Sequence, residues 1–399
     1  MAAEKKGMSL PLKLLIGIIV GIVFGLFLPE KAMVIVVTLK YVLNQLIMFC
    51  VPLIVIGFIA PSITKMGSNA TRMLMVAIIA AYASTVLATL MSMAAGYILV
   101  PHLPIVSSME GLKELPGVAF QLDIPQIMPV MSALVFSVLI GLAAVWTKAR
   151  TVAALLQEFQ NIVLSIVKKV VIPVLPFFIA LTFCGLSYDG TITKQFPAFL
   201  LAIVIVMAGH YIWMAVLYGF AGVYSGHSAI EVVKYYGPAY LTAVGTMSSA
   251  ATLAVALDCA HQSKNLRSDM VDFGIPLFAN IHLCGSVLTE VFFVMTVSQV
   301  LYGTLPGVGP MVLFCLLLGI FAIGAPGVPG GTVMASLGLI SGVLLFGDEG
   351  LALMLAVFAL QDSFGTACNV TGDGALTLIL TGYAEKHHIR AENVQNVEL

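Results

Sequence analysis

Apolar runs long enough to cross a lipid bilayer recur along almost the whole of this 399-residue chain. A helix needs about 20 apolar residues to span the hydrocarbon core of a membrane. The sequence is 60% hydrophobic and only 9% charged, whereas soluble domains carry about 25% charged residues. These features predict an all-α polytopic membrane protein. We predict spans at residues 10–28, 33–60, 71–100, 127–147, 160–184, 196–223, 271–301 and 350–381.

Two further apolar segments are interrupted by small residues and prolines. Residues 229–260 contain a run of glycine, serine and threonine, and residues 308–346 contain glycines and prolines between Gly324 and Gly331. Backbone freed by such breaks is tolerated at membrane depth only where it is buried in protein or lines a cavity. Paired interrupted segments indicate the binding site of a transporter. We therefore predict eight transmembrane helices and two re-entrant helical hairpins. Two full spans in place of the hairpins would preserve the same parity and are the alternative.

The stretch from Ser268 to Glu385 contains no Lys and no Arg, yet Glu290, Asp362 and Asp373 lie within its apolar segments. A carboxylate inside a membrane is costly and normally pairs with a counter-charge. Because no basic side chain of this stretch can serve, we expect the partner to come from elsewhere: a proton, a metal cation or the ammonium group of a bound solute. Cation-coupled transport is therefore the leading hypothesis.

The distribution of basic residues predicts the orientation in the membrane. Cytoplasmic loops carry an excess of Lys and Arg, and the predicted alternation places Lys148 and Arg150 inside and Lys113 and Lys194 outside. We expect both termini in the cytoplasm, with the protein in the inner (plasma) membrane of a cell.

The net charge of −1 argues against a nucleic-acid partner. The six cysteines form no CxxC pair, which argues against a disulfide framework or a zinc site.

Four motifs occur in a characteristic order between about residues 230 and 380. Gly245–Leu253 (GTMSSAATL) resembles the first hairpin tip of the dicarboxylate/amino acid:cation symporter family. Ile323–Gly330 is similar to its second hairpin tip, and Asn369–Asp373 (NVTGD) matches its last helix. Asn280–Ser286 stands where that family has an Asn-Met-Asp-Gly-Thr motif. The family includes archaeal aspartate transporters and human excitatory amino acid transporters, and before residue 230 the resemblance is one of layout only.

The resemblance implies a homotrimer of elevator-type transporters, in which a transport domain carries one solute past a static scaffold. On this basis residues 1–70 form scaffold helices 1 and 2, and 71–126 form transport-domain helix 3 with an extracellular loop. Residues 127–225 supply scaffold helices 4 and 5 and transport-domain helix 6. Residues 226–385 form the transport core of hairpin 1, helix 7, hairpin 2 and helix 8, and 386–399 form a cytoplasmic tail.

A polar stripe marks the last predicted helix. Asp362, Gly365, Thr366, Asn369 and Asp373 are spaced so that they share one helical face, and such a stripe should face a cavity. The resemblance implies that Asp362 receives the α-amino group of the solute and that Asn369 holds its carboxylate. It also implies that Asp373 and Asn369 bind sodium. The alternative is a stripe that packs against other helices and contains a protonated aspartate.

Further ligands are implied by the same resemblance. The implied substrate-binding residues are Ser248, Ser249, Gly327, Val328, Asp362, Gly365, Thr366 and Asn369. The implied cation ligands are Phe278, Asn280, His282, Ala322, Gly324, Asn369 and Asp373, with Na⁺ at Asp373 and Asn369. Ser84 and Thr85 match hydroxyl groups that complete a third sodium site. We expect Na⁺, H⁺ or both as coupling ions, a zwitterionic solute, and no other cofactor.

Departures from the family pattern determine the predicted solute. Members that carry acidic solutes have an arginine at the position of Gly365 or of Met247, and its planar fork grips a side-chain carboxylate. This atypical chain lacks that arginine, so a second carboxylate on the solute would be buried without a partner. We therefore predict a neutral amino acid, and we expect Gly365 to enlarge the pocket. A dicarboxylate or an acidic amino acid is the alternative solute.

Other departures concern the coupling ion. Cys284 and His282 replace the Asp and the Asn of the family motif, and a thiol and an imidazole make a poor sodium cage, so we expect the third sodium site to be lost. Glu290 matches a glutamate that carries protons in some members. His282, Ser286 and Glu290 lie four apart on one predicted helical stripe, which could relay a proton. Alternatively, His282 donates to a backbone carbonyl and Glu290 stays protonated for packing.

The sequence leaves two other classes of function open. Thr371–Gly374 (TGDG) weakly resembles the Gly-Asp motif of intramembrane aspartyl proteases, but Val370 replaces the earlier glycine of that motif. The sequence also contains no HExxH zinc motif, which membrane-bound zinc proteases need. A passive channel is the other alternative. We expect a transporter and not an enzyme.

Overall fold

The computed structural model describes residues 10–68, 72–105, 113–325 and 327–389. Its helices within these ranges are α1 (Leu10–Phe27), α2 (Glu30–Ser68), α3 (Arg72–Leu99), α4 (Val130–Trp146), α5 (Arg150–Ile166), α6 (Ile172–Tyr188), α7 (Thr191–Ser225), α8 (Ala229–Val233), α9 (Gly237–Thr246), α10 (Ser249–His261), α11 (Ser268–Ile281), α12 (Cys284–Tyr302), α13 (Val308–Gly324), α14 (Gly331–Leu344) and α15 (Asp348–Lys386). A 3₁₀ turn at Val100–His102 follows α3, and a π-helical turn at Val167–Val171 joins α5 to α6. No strand occurs in the described residues, so the predicted all-helical class is confirmed.

Several of these helices are long and apolar enough to cross a membrane. In the described part of the chain they are Glu30–Pro61, Arg72–His102, Arg150–Tyr188, Pro197–Ser225, Ser268–Tyr302 and Asp348–Lys386. Shorter apolar helices occur at Leu12–Phe27, Val135–Trp146, Val308–Gly324 and Gly331–Leu344. The chain is therefore a multi-pass membrane protein, and the exact number of eight spans stays a prediction.

Both interrupted segments form pairs of helices. α9 and α10 meet at Met247, which has a left-handed φ of +52°, and Ser248, whose side chain caps α10 by accepting from the N–H of Ala251. Serine is a preferred residue at this capping position. α13 and α14 are joined across residues 325–330, of which Pro326 lies outside the described residues.

Packing divides the helices into two groups. In one group α1 packs on α6, and α2 packs on α4, α5 and α6. In the other group α12 and α15 pack along each other, and α3, α7 and α9 surround them. Every residue of α12 from Cys284 to Ser298 is buried, whereas α1 and α7 expose many large apolar side chains, as expected for helices at the lipid boundary. The polar side chains of α12 and α15 therefore lie inside the protein.

A row of glycines brings α1 into close contact with α6. A Cβ on Gly21 would lie 2.2 Å from the carbonyl oxygen of Ala180, and one on Gly25 would lie 2.3 Å from that of Cys184. Gly17 continues the row toward Pro176. Residues four apart share a helical face, and small residues allow helix backbones to approach closely in a membrane.

Replacing Gly21 with valine should destabilise the protein because the added side chain meets the backbone of α6. We expect a lower midpoint of thermal unfolding for the purified protein in detergent, equivalent to about 1–3 kcal/mol for an overpacked contact. Gly219→Val in α7 is the control, since no atom lies within 4 Å of a Cβ at that position. Equal midpoints for the two variants would contradict the close approach of α1 and α6.

Candidate functional site

The predicted span 271–301 is not one continuous helix. α11 ends at Ile281, His282 is extended with φ −119° and ψ 105°, and α12 begins at Cys284. His282 and Leu283 are both buried, so the break lies inside the protein. Apolar residues lie on both sides of the break, and the spacing of apolar residues does not mark His282 as the point where a helix ends.

Asn369 on α15 satisfies the backbone groups at the start of α12. Its Oδ1 accepts hydrogen bonds from the N–H groups of Gly285 (2.7 Å) and Ser286 (3.2 Å), and its Nδ2 donates to the Ser286 hydroxyl oxygen (2.9 Å). The first N–H groups of a helix have no partner within that helix, and hydrocarbon offers none. The side chain predicted to hold the solute carboxylate is therefore engaged in capping α12 in this conformation.

Asp373 has a basic partner inside the protein. Its Oδ1 lies 2.9 Å from Nδ1 of His282, and Nε2 of the same ring lies 2.9 Å from the hydroxyl oxygen of Ser84. The side chains of His282 and Asp373 are 0% and 1% exposed. A histidine of the 268–385 stretch is therefore a hydrogen-bond partner that a count of Lys and Arg misses, whereas a counter-charge supplied by a proton or a cation stays a prediction.

Gly372 provides the room for the His282 ring. A Cβ on Gly372 would lie 3.0 Å from Cε1 of His282 and 3.3 Å from Sγ of Cys284. On the other side, the Phe278 ring lies edge-on to the imidazole with centroids 6.4 Å apart. The carbonyl oxygen of Phe278 also accepts a 2.9 Å hydrogen bond from the backbone N–H of His282. These contacts confine the imidazole between α11 and α15.

Glu290 contacts α14 and is not linked to His282. The Ser336 hydroxyl donates to one of its carboxyl oxygens, while Oε2 has no hydrogen-bond partner among the described residues. Ser286, for its part, accepts from Asn369. The predicted proton relay along one helical stripe is wrong, because the break at His282 removes the common stripe and each side chain has a different partner. The described ion pairs include neither Glu290 nor Asp362.

The two hairpin tips touch each other. The Ser248 hydroxyl donates a 2.6 Å hydrogen bond to the carbonyl oxygen of Gly327. A Cβ on Gly327 would lie 3.3 Å from the carbonyl oxygen of Ala279 in α11, so the second tip packs against both α10 and α11. Ser249 is buried and Val328 is half-buried beside this contact. The structure thus brings the predicted tip residues together.

Asp362 lies against the second hairpin tip. Its Oδ2 accepts a 2.6 Å hydrogen bond from the N–H of Gly330, whose φ of +70° suits glycine. A cavity of about 10 Å³ adjoins this carboxyl group, roughly the room that one water molecule needs. The other lining residues are uncharged: Leu14, Leu175, Ile179, Met247, Pro329, Gly330, Val333, Met334, Leu355, Phe358 and Ala359. The cavity combines one acid with apolar walls from both groups of helices.

Gly365 does not open this cavity. A Cβ on Gly365 would lie 3.2 Å from Cα of Ser286 in α12, and the residue is not among those that line the cavity. The expectation that Gly365 enlarges the pocket is wrong, because its missing side chain lets α12 and α15 approach each other. Thr366 is buried next to it.

The remaining predicted cation ligands do not share the hydrogen bonds of Asp373. Asn280 is exposed, and its Nδ2 donates to the carbonyl oxygen of Pro276 in its own helix. Ala322 and Gly324 are buried at the end of α13. Thr85 is buried, and its hydroxyl oxygen lacks a partner in the described part of the chain. Among the residues that the structure describes, no group of three or more His, Cys, Asp or Glu side chains is placed to hold a metal ion.

Sequence reasoning missed polar residues of α7 that support this region. His210 Nε2 lies 3.0 Å from the carbonyl oxygen of Gly285 and 2.9 Å from the Thr289 hydroxyl. The Tyr218 hydroxyl donates to the carbonyl oxygen of Thr371 (2.8 Å). Their signal in the sequence is a histidine and a tyrosine within an otherwise apolar predicted span, which should face protein and not lipid.

Comparison with known proteins gives a match over most of the chain. The model of the sodium:dicarboxylate symporter family matches residues 10–383. Excitatory amino acid transporter 2 of Mus musculus is 28% identical over 229 residues, which are 55% of this chain and 39% of that protein. Excitatory amino acid transporter 3 of Homo sapiens is 31% identical over 148 residues, 37% of this chain and 28% of that protein. Neutral amino acid transporter B(0) of Macaca fascicularis is 26% identical over 158 residues, 40% of this chain and 29% of that protein. The chain thus matches less than half the length of each of these relatives.

Replacing Asn369 with alanine should leave two buried N–H groups at the start of α12 without partners. We expect the free energy of unfolding to fall by about 1–3 kcal/mol, measured without solute so that ligand binding does not contribute. Asn280→Ala is the matched control, because that amide is exposed and its loss should change stability by no more than about 0.5 kcal/mol. If the two variants are equally stable, Asn369 does not cap α12.

Proposed function

Since the chain belongs to the sodium:dicarboxylate symporter family, we propose that it is a secondary active symporter that moves a neutral amino acid into the cell. The family and the relatives named above are transporters, not enzymes. This membership removes the intramembrane protease from consideration.

The observation that carries the proposed solute is the lining of the small cavity beside Asp362, which would have to widen to admit a solute. It offers one carboxylate and no cationic side chain. An α-ammonium group would form a charge-assisted hydrogen bond with Asp362. The N-termini of α10 and α14, each of which begins beside a hairpin tip, would stabilise the α-carboxylate. The apolar walls formed by side chains such as Met247, Val333 and Phe358 suit an uncharged solute side chain.

A dicarboxylate or an acidic amino acid is the second candidate. It is favoured by the description of the family and by the excitatory amino acid transporters among the relatives. The residues at positions 247 and 365, a methionine and a glycine, weigh against it because a second buried carboxylate needs a partner. Moreover, an arginine at position 365 would require α12 and α15 to separate.

An elevator mechanism in a homotrimer is the proposed mode of transport. The packing of α1, α2, α4, α5 and α6 apart from α12, α15 and their neighbours supports a scaffold and a transport domain with the predicted boundaries. Leu14, Leu175 and Ile179 of the first group line the cavity opposite the hairpin tips, so movement of the second group would uncover it. Both termini are proposed to lie in the cytoplasm and the protein in the inner (plasma) membrane.

The coupling ion is proposed to be Na⁺, H⁺ or both. The family description implies Na⁺, and the backbone carbonyls near Ala322 and Gly324 are candidate ligands. Glu290 is the candidate proton carrier, because it is fully buried and one of its oxygens lacks a partner among the described residues. Solute entry would also replace the hydrogen bond between Gly330 and Asp362 with a contact between the solute ammonium and Asp362.

Asp362→Asn should weaken the stabilisation of the protein by neutral amino acids. The amide keeps the size of the side chain but loses a charged hydrogen bond worth about 1.5–3 kcal/mol, so binding should weaken by at least about tenfold. The measurement is the thermal shift of purified protein against a panel of amino acids and dicarboxylates. Asp348→Asn, at the exposed start of the same helix, is the control. Stronger stabilisation and uptake with dicarboxylates than with neutral amino acids would overturn the proposed solute class.

Glu290→Gln should abolish solute uptake driven by a pH gradient in sodium-free liposomes. The amide can keep the contact with Ser336 but cannot carry a proton, so the thermal shift with solute should persist. Ser336→Ala, which removes the hydroxyl group and keeps the acid, should retain uptake. Proton-driven uptake that survives in Glu290→Gln would remove this residue from the coupling mechanism.

A further inference from the structure

We infer that His282 prevents Na⁺ from binding at two predicted sodium sites of this chain. Each of its two ring nitrogens forms a hydrogen bond with a side chain that would otherwise be a ligand of one site. The inference rests on the proposed function as a symporter and narrows its coupling ion. Asp373 belongs to one of these sites and Ser84 to the other. Any sodium that the chain binds is held elsewhere, and Asp373 does not contribute to it.

At Asp373 the imidazole stands where a cation would need access. Nδ1 of His282 lies 2.9 Å from Oδ1, which is hydrogen-bonding distance. Whichever of these two atoms carries the hydrogen, that hydrogen lies between them and occupies the oxygen. Sodium is a hard cation that prefers a shell of oxygen ligands, and here one side of the carboxyl group faces a nitrogen heterocycle.

At Ser84 the other end of the same ring has the same effect. Nε2 lies 2.9 Å from the hydroxyl oxygen. If Nδ1–H donates to Asp373, Nε2 accepts from the serine hydroxyl, so one neutral tautomer satisfies both contacts. The site that would use Ser84 has also lost its acid, since the buried thiol of Cys284 stands in its place. A thiol is a soft ligand and does not compensate for a missing carboxylate.

The ring has little freedom to swing aside and admit an ion. It is fully buried, the backbone of Gly372 leaves room for it but not for an added Cβ, and Phe278 lies edge-on to it. Rotation away from Asp373 and Ser84 would leave both ring nitrogens and both oxygens to find new partners in a dry interior, and unpaired buried polar groups are costly. The His282 contacts are therefore a built arrangement and not a loosely placed side chain.

The test uses the full chain purified in detergent and compares wild type, D373N, H282N and H282N/D373N. Each protein is unfolded thermally in sodium chloride or choline chloride at constant ionic strength, so that only the cation changes. Stabilisation by Na⁺ follows mass action, and its concentration dependence gives the half-saturating sodium concentration. In a separate series, thermal unfolding is measured at one sodium concentration while the concentration of a neutral amino acid is varied. This series tests the proposed solute independently of the sodium result.

We expect D373N to keep the half-saturating sodium concentration of the wild type within about twofold, or both proteins to show no sodium response. H282N should gain a sodium response, and H282N/D373N should lose that gain. A half-saturating sodium concentration about tenfold or more higher in D373N than in the wild type, the change expected when a ligand environment is lost, would overturn the inference. If D373N does not fold, H282N decides: a new sodium response supports the inference, and an unchanged response overturns it. Failure of every neutral amino acid to stabilise the wild type would contradict the proposed solute without affecting the sodium result.

Discussion

Backbone groups released at the junction of α11 and α12 must find partners inside the protein, because a membrane interior supplies none. Asn369 meets this need at Gly285 and Ser286. The same junction places His282 in extended conformation, with its side chain against Asp373. The polar face of α15 is thus positioned by the backbone of its neighbour, and the candidate ion and solute sites are arranged around this one break.

Much of the helical layout follows from the sequence, because apolar length is what a membrane span requires. Seven predicted spans correspond to helical regions with shifted ends, for example the 350–381 prediction and α15 at Asp348–Lys386. The interrupted segments also correspond to helix pairs. The break at His282 could not be predicted in this way, since α12 is buried on all sides from Cys284 to Ser298 and has no periodicity that would mark where it begins. The π-helical turn that contains Lys168 and Lys169 likewise could not be predicted from the spacing of apolar residues.

The site was predictable as a set of residues but not as a set of contacts. Glu290, Asp362 and Asp373 stand out because acids are rare in apolar segments. Their partners are distant in the chain: Ser336 is 46 residues from Glu290, and Ser84 is 198 residues from His282. Gly365 illustrates the same limit, because a missing side chain can mean an open pocket or a close helix contact. A Cβ on Gly365 would lie 3.2 Å from Cα of Ser286, so this glycine allows a close helix contact.

The three buried acids differ in what each requires before the surrounding helices can move through a membrane. Asp373 already has an internal hydrogen-bond partner in the His282 imidazole. Asp362 receives one backbone hydrogen bond from the hairpin tip, which leaves its charge to be balanced by the solute. Glu290 has a single hydroxyl partner in the described structure, so an ionised form would carry an uncompensated charge. In an elevator of the proposed kind, a solute ammonium would pair Asp362 with a counter-charge and a proton would neutralise Glu290, so both would favour crossing, because the membrane opposes unpaired charges.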